Sequence, residues 1–322
     1  MIETAFSRTG RWKLLAYGVV LCALCLLPIV VKNEYIIRIF TMIFIYAVLA
    51  LGLNFVVGFT GLLSFGHAAF YGIGAYTTAI LMTRYGFGYL PALVASGIVT
   101  FIFGILLGLP VVRIRGDYLC LVTIAFGEIF RLLMQGWQSF SGGQMGIVAI
   151  PAPVILNYRI TANSQFFYLG LILMVITFLI LSIFANSKEG RAMIALREDE
   201  LAASTMGINT AYYKVLNFAV GTAFAGIAGS LFAVYMTVIA PVNFTLGESV
   251  LMIVMVIVGG LGSLPGAVVG AAVLLFATEL FRGVYQYRLL IIGFIMLVVL
   301  LWHPQGIMGI RAWRRVEEEG GK

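Results

Sequence analysis

The sequence predicts an all-α integral membrane protein of about ten transmembrane helices, with glycine-interrupted or re-entrant segments among them. Three observations predict it. Hydrophobic residues make up 62% of the chain and charged ones 10%, at a mean hydropathy of +1.07; soluble domains of this size do not have that balance. Charge-free runs such as 39–83 and 132–156 leave little room for an aqueous unit, so 1–322 reads as a single transmembrane domain. Glycine supplies 37 of 322 residues, a share that suits closely packed membrane helices.

A spanning helix needs about 20 apolar residues, and ten segments approach that length. The first, 14–31, follows Arg8, Arg11 and Lys13. It is long and lacks a small-x-small cleavage site, which predicts a retained helix rather than a signal peptide. Segments 36–57, 66–82, 91–112 and 117–135 come next, then a long loop at 136–164 rich in Gly and Pro. After 165–185 comes the one internal stretch where charge clusters, 186–212, with a helix expected at 190–207. The last spans are 213–238, 249–261, 266–282 and 288–303. Segments 66–82 and 249–261 are short enough to be re-entrant. With the N-terminus in the cytoplasm and the spans alternating, 13 of the 20 Lys and Arg fall inside and 7 outside. That bias predicts both termini cytoplasmic, 136–164 external and 190–207 internal.

Composition also excludes functions. The net charge of +7 is scattered over short loops and termini, so it sets topology and leaves no nucleic-acid footprint. Cys22-x-x-Cys25 has redox spacing but sits in an apolar helix with no βαβ context, and with Cys120 it reads as inert thiol. Only His67 and His303 are present, which argues against a histidine metal site. No Ser-His-Asp, HExxH or paired-carboxylate pattern is legible, which argues against an enzyme. The one Gly-Lys pair, Gly321-Lys322, is no P-loop. No cofactor is expected on this chain, and any ATP must be bound by another polypeptide.

Three constellations carry candidate chemistry. Residues 54–76, NFVVGFTGLLSFGHAAFYGIGAY, are apolar but broken by five glycines, with Asn54, Ser64, His67 and Tyr71 inside. Glycine costs a helix roughly 1 kcal/mol relative to alanine, and polar groups facing lipid cost more. The segment is therefore either a broken element beside a solute path, with those four residues lining it, or a close helix contact. Val57-Gly58-Phe59-Thr60-Gly61 is echoed by Val258-Gly259-Gly260-Leu261-Gly262, a pairing that transporters often carry. In 190–207, Arg191, Arg197, Glu198 and Glu200 adjoin Ala202 and Ala203, and Gly207 is placed to end the helix. That helix either docks in a groove on a partner or is an ordinary amphipathic surface helix. Finally, Glu128 and Arg131, and Glu279 and Arg282, stand three apart within spans. Such pairs serve either as a polar lining or gate, or as structural pairs near the outer interface.

These residues support a resemblance. Leu51-Gly52-Leu53-Asn54 followed by Gly58-x-Thr60-Gly61-Leu62-Leu63-Ser64-x-Gly66-His67-Ala68-Ala69-Phe70-x-Gly72-Ile73-Gly74-Ala75-Tyr76 resembles the signature of branched-chain amino acid ABC permeases, and within them the M-type subunits. Arg113-x-Arg115-Gly116-x-Tyr118-Leu119, Ser141-Gly142-Gly143-x-x-Gly146-Ile147 and the run from Gly190 to Ala203 agree with it, and the resemblance covers roughly 36–310. Leu201-Ala202-Ala203-x-x-x-Gly207 is also similar to the loop that couples ABC permeases to their ATPases, but Leu201 stands where that loop has Glu, and Glu200 comes one residue early. The resemblance implies an importer of several parts: an external binding protein, this subunit paired with an H-type permease, and two cytoplasmic ATPases that bind the ATP. The solute it implies is a branched-chain amino acid, with urea or a short amide as the alternative. A self-sufficient carrier or channel, or a membrane scaffold, is the rival from outside the family.

Overall fold

The computed structural model describes residues 18, 22–28, 30, 33–111, 118–155, 158–281, 288–303 and 305–308. Of the first expected span, the described residues 18, 22–28 and 30 are helical. Helix α1, Glu34–Thr60, is capped by the Asn33 side chain, which accepts from Tyr35 N–H. It ends at Gly61, whose φ of 71° is open to glycine at little cost. Then follow α2, His67–Thr83; α3, Tyr89–Val111; α4, Tyr118–Gly136; and the short α5, Gln138–Ser141. Strands β1, Val154–Ile155, and β2, Tyr158–Arg159, pair antiparallel. The chain continues through α6, Asn163–Asn186; α7, Lys188–Glu198; α8, Glu200–Thr205; α9, Thr210–Met236; α10, Leu246–Gly259; α11, Leu264–Leu280; and α12, Arg288–Trp302.

Six described helical runs are long and apolar enough to cross a membrane: α1, α3, α4, α6, α9, and α10 together with the turn before it. The protein is thus an all-α integral membrane protein, with one antiparallel pair of two-residue strands as its only sheet among the described residues. At about 1.5 Å per residue, the 17 residues of α2 reach about 25 Å, short of the ~30 Å hydrocarbon layer.

Helix α9 is the most enclosed span and packs against α1, α2 and α3. Glycine permits it. The backbones of Gly74 and Gly226 touch, and a Cβ on Gly52 would lie 2.7 Å from the Gly221 carbonyl. Two ends of the bundle differ. At one, Arg84 donates to the Ser139 and Phe140 carbonyls, and Ile147 bridges to Ile239. The stretch 136–164 is therefore a folded cover built from α5, a 3-10 turn and the hairpin rather than an open loop. At the other end lie α7 and α8.

The helix expected over 190–207 is two helices. Asp199 sits between them in extended geometry (φ −152°, ψ 109°), and its side chain accepts from Leu201 and Ala202 N–H. Aspartate is among the best N-caps, so it opens a new helix where propensity alone predicts continuation. Of the two pairs expected within spans, Glu128–Arg131 forms. Arg282 of the other lies outside the described residues, and Glu279 there accepts from the Tyr35 hydroxyl.

Candidate functional site

The two glycine breaks foreshadowed by the internal echo meet. A Cβ on Gly58 would lie 2.5 Å from Gly262 N. Asn54 clamps the crossing: its Oδ1 accepts from Gly262 N–H at 2.9 Å and its Nδ2 donates to the Ser263 carbonyl at 2.9 Å. Both of its polar atoms are thereby engaged with backbone. The first break, 61–66, lies alongside α4. Phe65 N–H donates to Thr123 Oγ1, about 8 Å into α4 at 1.5 Å per residue. Non-helical backbone at that depth is tolerated only inside protein or beside water.

Beyond the break, His67 and Tyr71 stand one turn apart on α2. Ser64, His67 and Tyr71 are buried, and Ser64 Oγ, both His67 nitrogens and the Tyr71 hydroxyl have no hydrogen-bond partner among the described residues. Buried polar atoms are rarely left unpaired, which makes these three side chains candidates for contact with water or a polar solute. The Tyr71 ring lies 5.1 Å from that of Phe232 and 5.3 Å from that of Phe244. Nearby, Ser249 Oγ accepts from Ala68 N–H and the Tyr46 hydroxyl donates to Glu248. Sequence reasoning missed Glu248 and Ser249. The signal was there: an acid and a hydroxyl opening an otherwise apolar run.

The α7–α8 element is fastened to the spans by two of the four charges expected to face a partner. Arg197 Nη1 donates to the Gly58 carbonyl at 2.5 Å, beside the glycine crossing. Glu200 pairs with Lys214 of α9 at 2.6 Å, with the Lys214 side chain 7% exposed and that of Glu200 40%. Ala203 is buried against its own chain. Arg191, Glu198 and Ala202 are exposed, as are the apolar side chains of Leu201 and Met206. Gly207, at φ 82°, ends α8, with its N–H on the Ser204 carbonyl and that of Ile208 on Ala203. Between this element and the spans opens a cavity of about 750 Å³, lined among others by Thr60, Leu63, Cys120, Arg197, Glu200 and Lys214. Lys214 also escaped the sequence reading, although it is the lone charge at the head of an apolar span.

Residues 35–300 match the family described as "Branched-chain amino acid transport system / permease component". The chain is 38% identical over 291 residues to the high-affinity branched-chain amino acid transport system permease protein LivM of Salmonella typhimurium, covering 83% of this chain and 68% of that one. It is 37% identical to LivM of Escherichia coli K12 over the same shares. The permease protein LivH of Escherichia coli K12 is 30% identical over 288 residues, covering 82% of this chain and 91% of that one. No solved structure matches. The matched residues run from the start of α1 into α12 and include both glycine breaks and α7–α8, and on that ground the chain belongs to the family of permease components of branched-chain amino acid transport systems.

Proposed function

We propose that this chain is a membrane-spanning subunit of an ATP-driven importer that passes branched-chain amino acids delivered by an external binding protein. A related H-type permease stands beside it, two separate cytoplasmic ATPases bind the ATP, and both termini face the cytoplasm. The observation that carries the reading is the α7–α8 element. It presents Leu201 and Met206 outward while Arg197 and Glu200 hold it to α1 and α9. A short helix can lay exposed apolar side chains into a groove on a partner, and this one is anchored where the spans break. Closure of the ATPases moves the element, and the spans alternate between outward and inward access. Ser64, His67 and Tyr71 supply polar groups along the path, and Asn54 holds the backbone next to it.

Reconstitution tests the reading. The chain, a LivH-like partner, two ATPases and the binding protein are placed in proteoliposomes, and ATP-dependent uptake of isoleucine is measured against leucine, valine, urea and acetamide. Uptake of isoleucine that requires every component supports the proposal. Competition by urea and acetamide alone moves the solute to the amide class. Uptake by this chain by itself replaces the importer with a carrier, and no uptake by the full assembly leaves a scaffold.

A further inference from the structure

One ion pair lies half-exposed on α4, a helix that otherwise presents apolar side chains to its surroundings. Helix α4 runs from Tyr118 to Gly136, so Glu128 falls near its midpoint and Arg131 one turn further. The Arg131 guanidinium is 2.8 Å from Glu128 Oε2 through Nη2 and 2.9 Å through Nε, and its Nη1 donates to Gln135 Oε1 at 3.3 Å. The side chains are 27% and 38% exposed for Arg131 and Glu128. On the same helix Leu121, Ile129 and Leu132 are apolar and more exposed, and at 3.6 residues per turn Leu121 and Leu132 share the face of Glu128. Charges at this depth face protein, or a water-filled path, because lipid does not solvate them.

Two further observations favour the path. The Glu128 side borders a crevice of about 10 Å³, shared with Ala68, Thr245 and Ser249, room for about one water. That crevice touches the beginning of α2, the helix that carries His67 and Tyr71 with their unpaired polar atoms. The crevice thus brings Glu128 and Ser249 to the turn of α2 that begins with His67.

We propose that Glu128 and Arg131 form a station for a zwitterionic α-amino acid on its way through the membrane. The solute carboxylate takes the guanidinium of Arg131, in the bidentate geometry that suits it, and the solute ammonium takes the carboxylate of Glu128. The pair opens around the solute and closes behind it. Charge is balanced in both states, because a neutral ion pair accepts a neutral zwitterion. Neither Glu128 nor Arg131 is left unpaired when the solute departs, which keeps the station weak and release fast. Urea or an amide has no separated charges with which to open the pair. The inference rests on the amino acid reading of the solute given above.

The test uses the reconstituted assembly in a background free of Cys22, Cys25 and Cys120, confirmed to take up isoleucine. Glu128→Cys is exposed to a membrane-impermeant cationic thiosulfonate, with Ile129→Cys as the lipid-facing control. The expected result is labelling of Glu128→Cys at least tenfold faster than Ile129→Cys, slowed several-fold by binding protein loaded with isoleucine. In parallel, Glu128→Gln and Arg131→Gln, in complexes that assemble and show stimulated ATPase activity, should lose at least tenfold in uptake, with Arg131→Lys retaining more than Arg131→Gln. No labelling of Glu128→Cys in any nucleotide state makes the pair a contact with the neighbouring permease and overturns the station. So does wild-type uptake by both Gln variants while the wild-type complex moves isoleucine. A wild-type complex that moves urea or acetamide but no amino acid overturns both this inference and the reading it rests on.

Discussion

Asn54 makes two hydrogen bonds to backbone atoms of a break about two hundred residues away in sequence. Removing its amide strands a buried N–H and a buried carbonyl, and a buried polar group left unpaired costs about 1–3 kcal/mol. Asn54→Ala is therefore expected to lower the melting temperature of the detergent-solubilised protein by several degrees, and Asn54→Asp to do so too, since a carboxylate repels the Ser263 carbonyl. Thermal unfolding of the two variants against wild type checks this. Space at Gly72 gives a second expectation. A Cβ there would lie 2.5 Å from the Phe130 ring and 3.0 Å from that of Phe244, whereas Gly293 has nothing within 4 Å. Gly72→Leu should overfill the contact, at about 1–3 kcal/mol by the cost of overpacked interiors, and depress uptake at matched expression. Gly293→Leu should not.

At the scale of elements, the Glu200–Lys214 pair is asymmetric, and so are its expected mutants. Glu200→Ala leaves the ammonium of Lys214 buried without its partner, while Lys214→Met leaves a carboxylate that is already 40% exposed. Glu200→Ala should therefore be the more destabilising, and the double variant should recover most of the loss. A double-mutant cycle on unfolding temperature, with the ratio of uptake to ATP hydrolysed recorded beside it, measures both. Leu201→Ser and Met206→Ser make the complementary case. These side chains are exposed, so their replacement should change stability by no more than about 0.5 kcal/mol yet reduce co-purification with the ATPase subunits. Retention of full co-purification would make α8 a surface feature only. The existence of these elements was legible because their composition is strongly helical. The break between them was not, because Asp199 reads as one more residue of a charged helix until its side chain is seen capping the next turn.

For the whole molecule, the charge bias predicts that the end carrying α7 and α8 faces the cytoplasm. In sealed cells expressing a cysteine-free variant, Gln144→Cys should react with an impermeant thiol reagent from outside and Ser204→Cys only after the membrane is opened. Both side chains lie at exposed positions, and the opposite pattern would invert the topology. Hydropathy made most of the spans legible, since each is a long apolar run. Glycine made the breaks legible, and the echo between 57–61 and 258–262 foretold that they correspond. What sequence could not give was contact: that Gly58 meets Gly262, that Arg197 reaches a carbonyl 139 residues earlier, or that Asn217 of α9 donates to Thr60. Such pairings are set by the packing of the whole bundle and leave no local periodicity. The crossing of the two breaks has a mechanical consequence. It ties the first half of the chain to the second. With Asn54 holding the second break and Arg197 donating to Gly58 beside the first, the α7–α8 end bears on the junction of the two halves and not on one half alone.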